Sequence, residues 1–372
     1  MQTIGITGQH GFVGSHLYNS LSLLKEEFEL IPFDKEFFQN EELLAAWAAK
    51  CDVVVHLAAM NRHQDPQYIH DTNIALVHRL ITALEDSGRT KQVIFSSSTQ
   101  EERDNLYGKS KKAGREALQQ WADRNHACIT GLIIPNVFGA YGKPFYNSVV
   151  ATFCHQLCNG ETPKIDVDGD MKLIYVQELV WHIIDAIRSR HHEPAFMVPH
   201  TSECKVSALL TLLQHYRTTY LENGIIPDLT NQFEFNLFNT YRSYINLREY
   251  YPRFYKQHAD ERGKFVEIIH LKTGGQVSYS TTKPGVTRGN HFHTRKIERF
   301  SVIKGKALIQ LRKYNTGEVL NFELDGDNAS YVDMPIWYTH NIRNIGNDEL
   351  LTVFWINEFY DVNDPDTFFE VV

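Results

Sequence analysis

From Met1 to about Tyr244, short apolar runs alternate with longer amphipathic stretches. Residues 1–7, 28–33, 52–57, 92–97 and 128–135 read as strands, and 11–24, 41–49, 71–87 and 109–124 as helices. Strands separated by helices of this length form βαβ units on a parallel sheet. From about Arg262 the texture changes. Residues 265–270, 276–281, 299–303, 307–313, 318–324, 331–334 and 350–357 are short strand-like runs between Gly, Asn and Asp turns, the pattern of an all-β sandwich or barrel. The expected organisation is a doubly wound α/β domain over 1–245, with a substrate-binding subdomain, and an all-β domain over 246–372. The aromatic stretch 241–255 is too apolar for a flexible linker, so it is expected to pack and hold the halves together.

Composition narrows the function classes. The 372 residues are 42% apolar and 22% charged, ordinary globular usage that excludes a disordered or coiled-coil chain. A net charge of −8 gives no electrostatic footprint for nucleic acid. Five cysteines are too few for a disulfide framework, and Cys154 and Cys158, one helical turn apart, read as half-buried thiols rather than a metal pair. No apolar run approaches the roughly 18 residues of a membrane span. The chain opens as a strand, without the basic and apolar regions of a signal peptide. A cytoplasmic, reducing setting is the expectation.

Candidate chemistry begins at the first strand–helix junction, Thr7-Gly8-Gln9-His10-Gly11-Phe12-Val13-Gly14. Glycines at this spacing let backbone approach a pyrophosphate at a helix N-terminus. Asp34, at the end of the second strand, is placed to bind an adenosine 2′-OH and favours NAD, while the adjacent Lys35 suits the 2′-phosphate of NADP. Tyr107 and Lys111, four apart, share a helical face. A tyrosine that protonates a carbonyl oxygen needs a lowered pKa, which a nearby ammonium provides. Ser96-Ser97-Ser98, just upstream, can offer a hydroxyl to the same oxygen.

Together with Val54-Val55-His56-Leu57-Ala58-Ala59, Asn73 and Pro135-Asn136-Val137-Phe138-Gly139, these motifs resemble the extended short-chain dehydrogenase/reductase family. The resemblance implies a Rossmann-like fold and a nicotinamide held by Gly8, Gly11, Phe12, Val13, Gly14, Asp34, Lys35, Leu57, Ala58, Ala59, Asn73, Ser96 and Lys111. It makes Tyr107 the proton donor, Lys111 the holder of the ribose, and Ser98 the catalytic hydroxyl with Ser97 as understudy. Three departures touch the substrate side: a short 98–107 segment, Ile134 where many members have arginine, and Gln177-Glu178 in place of an acidic pair.

The second half holds a denser signal. Gly285, His291, His293, Glu298 and Gly305 read G-x5-H-x-H-x4-E-x6-G, and His340 follows in Met334-Pro335-Ile336-Trp337-Tyr338-Thr339-His340. Two histidines alternating along a strand share one face, and three His with one Glu suit Zn²⁺ or another borderline divalent ion. These motifs resemble the cupin superfamily, which implies a jelly-roll barrel with His291, His293, Glu298 and His340 as ligands. Trp337 stands where the family usually has Gly. Asp260-Glu261-Arg262-Gly263-Lys264-Phe265-Val266-Glu267 resembles the opening of cupin-type deoxysugar epimerases, which implies nucleotide-sugar contacts at Arg262 and Glu267 and an acid at Tyr338.

One substrate joins the halves. A C4 ketone acidifies the C3 proton for epimerisation and accepts hydride from a nicotinamide, so reduction must come second. A reductase half followed by a metal cupin resembles the bifunctional capsular polysaccharide synthesis enzymes, also through residues 144–154 and 363–367. That resemblance implies a UDP-linked 4-keto-6-deoxy amino sugar, epimerised at C3 and reduced with NADPH to UDP-2-acetamido-2,6-dideoxy-L-talose for capsule or O-antigen. It also implies substrate contacts at Asn136 and Asn147, and a homodimer. NADH remains open because of Asp34. The competing reading is a C4 reductase whose barrel is structural.

Overall fold

Val53-Val54-Val55 and Val93-Ile94-Phe95 are apolar without alternation, as strands covered on both faces must be. They lie inside a six-stranded parallel sheet. Its strands are β1 (Gln2–Thr7), β2 (Phe28–Ile31), β3 (Val53–His56), β4 (Gln92–Ser98), β5 (Cys128–Ile134) and, after β6 (Asn136–Phe138) and β7 (Asp170–Tyr175), β8 (Glu193–Met197). The order is β2-β1-β3-β4-β5-β8. Helices α1 (Phe12–Ser22), α2 (Glu41–Ala48), α3 (Pro66–Ser87), α4 (Leu106–Asn125), α5 (Val149–Cys158) and α6 (Val176–Ser189) connect them. Trp47, Leu80, Leu84, Leu118 and Trp121 of α2, α3 and α4 pack on Val54, Val93 and Phe95. Leu17, Leu21, Ile183 and Ile187 of α1 and α6 pack on Val53, Val55 and Ile94. The sheet is doubly wound, and the strand order reverses between β1 and β3, where such sheets open a crevice. β6, β7 and β9 (Ser202–Lys205) form a separate small sheet.

Helix starts differ from the periodicity reading. α3 begins at Pro66, not 71, because Asp65 accepts a hydrogen bond from the Gln67 N–H (2.9 Å) and proline occupies the first turn. α4 begins at Leu106, where Asn105 caps the Gly108 N–H at 2.7 Å.

The computed structural model describes residues 1–229 and 231–372 and falls into two compact units, Met1–Thr152 with Ile165–Val206, and Phe153–Lys164 with Ser207–Val372. The second contains α7 (Val206–Tyr216) almost entirely, a π-helical turn at Arg217–Glu222, and α8 (Gln232–Arg242). A boundary at 245 would assign these helices to the first unit. They lie instead with the β-strands because Tyr220 donates to Asp333 (2.7 Å), Arg242 to the Met334 carbonyl (2.9 Å) and Asn239 to the Arg295 carbonyl (2.9 Å).

The remaining strands are β10 (Arg253–Phe254), β11 (Gln257–Asp260), β12 (Gly263–Val266), β13 (Gln276–Thr282), β14 (Thr287–Phe292), β15 (Glu298–Lys304), β16 (Lys306–Lys313), β17 (Val319–Asp325), β18 (Ser330–Met334), β19 (Tyr338–Asn344), β20 (Leu350–Ile356) and β21 (Phe368–Phe369). They make antiparallel sheets ordered β10-β18-β15-β20-β13 and β17-β16-β19-β14-β21, with β11 and β12 as a separate hairpin. Val302, Ile309, Leu311, Val332 and Ile342 share one core with Leu247 and Tyr251, so the aromatic stretch does pack. No helix among the described residues is long and apolar enough to cross a membrane.

Candidate active site and metal centre

The glycine turn closes tighter than side chains allow. Gly8 has φ +76°, and a Cβ on Gly14 would lie 2.1 Å from the Gly8 carbonyl oxygen. Gly11, just ahead of α1, offers no side-chain cap and the first turn holds no acidic residue, which leaves its N–H groups for an anion. The turn therefore fits a pyrophosphate. Gln9, which the sequence reading passed over, ties it to the next strand: its amide donates to the Phe33 carbonyl (3.0 Å) and accepts from the Phe33 N–H (3.2 Å). Asp34 is exposed and caps a short helical turn by accepting from the Glu36 N–H at 2.9 Å, with Lys35 exposed beside it. Ala58 lies over the turn, its N–H directed at the Thr7 hydroxyl. Asn73 is spent on structure, bridging both backbone groups of Met60 (2.7 and 3.1 Å) and the Ser110 hydroxyl (3.1 Å).

Lys111 is fully buried, 3.5 Å from the Ser96 hydroxyl and 4.6 Å from the centre of the Phe95 ring. Burial pulls its pKa down to about 7, with Glu101 opposing. Tyr107 runs against expectation. Burial, then the neighbouring Tyr146, push its phenol up to about 12, so the unliganded protein holds a phenol, not a phenolate. Ser96 and Ser98 share a strand face, and Ser98 accepts from the Gln100 N–H at 3.2 Å. Ser97 is committed elsewhere. It donates to Glu101, itself paired with Arg115 (2.8 Å). Asn147 donates to the Asn61 carbonyl (2.6 Å) and Arg62 to that of Phe145, so the 141–147 loop, with Tyr141, Phe145 and Asn147 at positive φ, is clamped beside the 58–62 segment. Asn136 is exposed at the end of the small sheet, donating to the Lys172 carbonyl. The departures at 177–178 are structural: Gln177 pairs with Ser20, and Glu178 accepts from the Tyr175 N–H and the Thr201 hydroxyl.

In the second unit, a bulge at Asn290 (φ 61°) turns β14 so that His291 pairs with His340 on β19. Glu298 opens β15 in the facing sheet. One ligand atom from each of His291, His293, Glu298 and His340 lies within 4.8 Å of the others. His293 donates its Nδ1–H to the Asp366 carbonyl (2.5 Å) and His340 its Nδ1–H to that of Tyr338 (3.0 Å). This fixes a proton on Nδ1 of both rings, so that each ring, when neutral, presents Nε2 as a lone pair. The two Nε2 atoms sit 3.0 and 3.2 Å from Oε2 of Glu298, yet none of the three makes a hydrogen bond of acceptable geometry. Two lone pairs facing a buried carboxylate repel unless a cation lies between them, so the donor set fits a divalent metal. Burial, then the His340 and His293 rings, hold His291 down to about 4, the neutral form a ligand needs.

Trp337 holds a left-handed φ (61°), a conformation that favours glycine, and is buried against Phe292, ring centres 5.7 Å apart. Tyr338 shares the inward face of β19 with His340. Arg262 and Glu267 lie exposed at the hairpin, held by Asp260 (2.5 Å) and His270 (3.5 Å). Cys154 is fully buried and Cys158 partly so, both thiols pushed up by burial.

Residues 4–197 match the NAD dependent epimerase/dehydratase family, and 258–368 the polysaccharide biosynthesis C-terminal domain. The chain is 31% identical to a Pseudomonas aeruginosa UDP-2-acetamido-2,6-beta-L-arabino-hexul-4-ose reductase over 98% of its own length and 97% of that protein's. It is similar to the crystal structure of the capsular polysaccharide assembling protein CapF from Staphylococcus aureus, at 32% identity, 100% of both chains and a TM-score of 0.63. A UDP-glucose 4-epimerase from Thermotoga maritima is similar in fold over 65% of this chain and 98% of that one, at 20% identity and a TM-score of 0.56.

Proposed function

Because the chain belongs to the NAD-dependent epimerase/dehydratase family, we propose that it is a bifunctional enzyme of nucleotide-sugar metabolism. It epimerises C3 of a UDP-2-acetamido-2,6-dideoxy-hexos-4-ulose and then reduces C4, giving UDP-2-acetamido-2,6-dideoxy-L-talose for a surface polysaccharide. The observation that carries the reading is the pairing, in one chain, of Tyr107, Lys111 and Ser98 behind a glycine cradle with four convergent ligands in the second unit.

A bound nicotinamide supplies hydride to C4. Tyr107 stays protonated far above neutral pH and delivers its proton to the C4 oxygen, which Ser98 steadies by a hydrogen bond. Lys111 holds the ribose. NADPH is the proposed cofactor: Asp34 has one carboxylate oxygen engaged as a cap, and Lys35 is free to meet a 2′-phosphate. In the second unit His291, His293, Glu298 and His340, forming a jelly-roll cupin centre, would hold one divalent ion, best Zn²⁺, whose chemistry is to polarise the C4 carbonyl. The C3 proton is lost to solvent, Tyr338 returns one to the opposite face and is reprotonated by water, and Arg262 and Glu267 meet the nucleotide. The reading includes a homodimer, supported by the exposed Phe265, Val277 and Tyr279 of the hairpin and of edge strand β13.

The test is NADPH consumption with this keto-sugar, before and after metal removal. Turnover that falls on stripping and returns with Zn²⁺ supports both activities. The reductase name of the Pseudomonas relative favours the second reading, a reductase with a structural barrel, and turnover indifferent to stripping would establish it.

A further inference from the structure

The last seven residues are built into the metal centre. β21 pairs with the outer edge of β14, Phe369 opposite His291 and Phe368 opposite Phe292, so this edge carries ladder bonds at one of the four ligands. Phe368 stacks on Phe292 with ring centres 5.2 Å apart. Arg312 and the Thr339 hydroxyl hold Glu370, at 2.5 and 2.8 Å. At the near end lies Asp366, buried, with a left-handed φ of 38°. Its carboxylate accepts the N–H groups of Thr294, Arg295 and Lys296, each at 3.0 Å, and the Thr294 hydroxyl at 2.6 Å. These are the residues directly after His293. Its carbonyl accepts the His293 Nδ1–H, and the Lys296 ammonium donates to the neighbouring Pro365 carbonyl at 2.6 Å.

We infer that Asp366 is a positioning residue for the metal centre: its carboxylate gathers the 294–296 backbone and its carbonyl locks His293 in the tautomer that offers Nε2. The carboxylate collects one turn's amides and so sets where its own carbonyl stands; without it, that carbonyl is free to leave His293. The carbonyl then selects the proton position on the ring, because an oxygen acceptor admits only an Nδ1–H. Outer partners of ligating histidines act in this way and are worth about 10–100-fold in metal affinity. The inference rests on the reading of the cluster as a metal site.

The experiment compares the wild type with Asp366→Ala and Asp366→Asn in the full chain. Zn²⁺ affinity is measured by competition with a chromophoric chelator, and the His293 ring nitrogens by long-range ¹H–¹⁵N spectra of the metal-free protein. Wild type is expected to show Nδ1–H at His293 and tight binding. Asp366→Ala is expected to show mixed tautomers and at least a tenfold loss of affinity. Asp366→Asn, which keeps one acceptor oxygen but turns an NH2 donor on the remaining N–H groups, is expected to fall between the wild type and Asp366→Ala in both. Should Asp366→Ala not fold, Asp366→Asn with Thr294→Val supplies the graded comparison. Unchanged affinity and an unchanged tautomer in a folded Asp366→Ala protein overturn the inference. A wild type that binds no metal while showing Nδ1–H overturns the metal reading and leaves the positioning of His293 standing.

Discussion

Replacing Lys111 by methionine should abolish reduction and make the unliganded protein more stable. The side chain is 3% exposed and gives up its proton near 7 rather than 10.5. At about 1.4 kcal/mol for each tenfold change in a proton equilibrium, keeping it folded at neutral pH costs of order 4 kcal/mol relative to a neutral group. The contacts the charge does make, 3.5 Å to Ser96 and 4.6 Å to the centre of the Phe95 ring, are already inside that net figure, and the exchange of side chains gives back about 1–1.5 kcal/mol in packing. Methionine fills the same space without charge. We expect a gain of roughly 2–3 kcal/mol at pH 7, seen as a melting temperature higher by about 5–10 °C for the first unit. The pH dependence carries the sign. Below about pH 6 both folded and unfolded chains hold the proton and the gap is constant. Between about 7 and 10.5 the unfolded chain keeps a proton that the folded one has lost, so raising the pH stabilises the wild type and closes the gap. Calorimetry at several pH values, without nucleotide, measures it. A Lys111→Met protein less stable than wild type at pH 7, or a gap that does not shrink by pH 10, would refute the reasoning.

Tyr107→Phe removes the proton donor and should lower the reduction rate by about 10²–10⁴-fold with metal content unchanged; steady-state NADPH consumption and metal analysis check both. Gly14→Ala places a Cβ 2.1 Å from the Gly8 carbonyl oxygen and should weaken NADPH binding by more than about tenfold, read by fluorescence titration; unimpaired binding would mean the turn is not the phosphate cradle. Asp333→Asn leaves the buried Arg299 guanidinium, now 2.7 Å from a carboxylate oxygen, without its counter-charge and should cost about 3–5 kcal/mol in denaturant unfolding of the second unit. A loss under about 1 kcal/mol would show that Tyr331, whose ring lies 3.8 Å from the guanidinium, suffices.

What was legible in the chain followed from local chemistry. The alternation of short apolar runs with helix-length amphipathic stretches announced βαβ units on a parallel sheet, and the spacing of His291, His293, Glu298 and His340 announced a cluster, because strand geometry fixes the direction of alternate side chains. What escaped depends on long-range partners. Periodicity had no means of showing that α7 and α8 lie with the β-strands, since Tyr220 meets Asp333 across 113 residues of chain. Nor did spacing reveal Asp366, whose partners lie 70–72 residues upstream. The lowered pKa expected of Tyr107 failed for a different reason: burial acts on phenol and ammonium alike, and the local motif carries no measure of burial. Capping was the missed local signal. Asp65-Pro66 and Asn105 were readable as helix starts and set α3 and α4 earlier than the apolar period did.

The central claim is that one chain both epimerises and reduces one sugar, and deuterium incorporation tests it most directly. The UDP-4-keto-6-deoxy amino sugar is incubated in D₂O with metal-loaded protein and no nicotinamide, and C3 is followed by NMR. Exchange at C3 that stops on metal stripping or in His291→Ala, and persists in Tyr107→Phe, is the predicted result. An undisturbed C3 proton in the presence of the loaded wild type would contradict it.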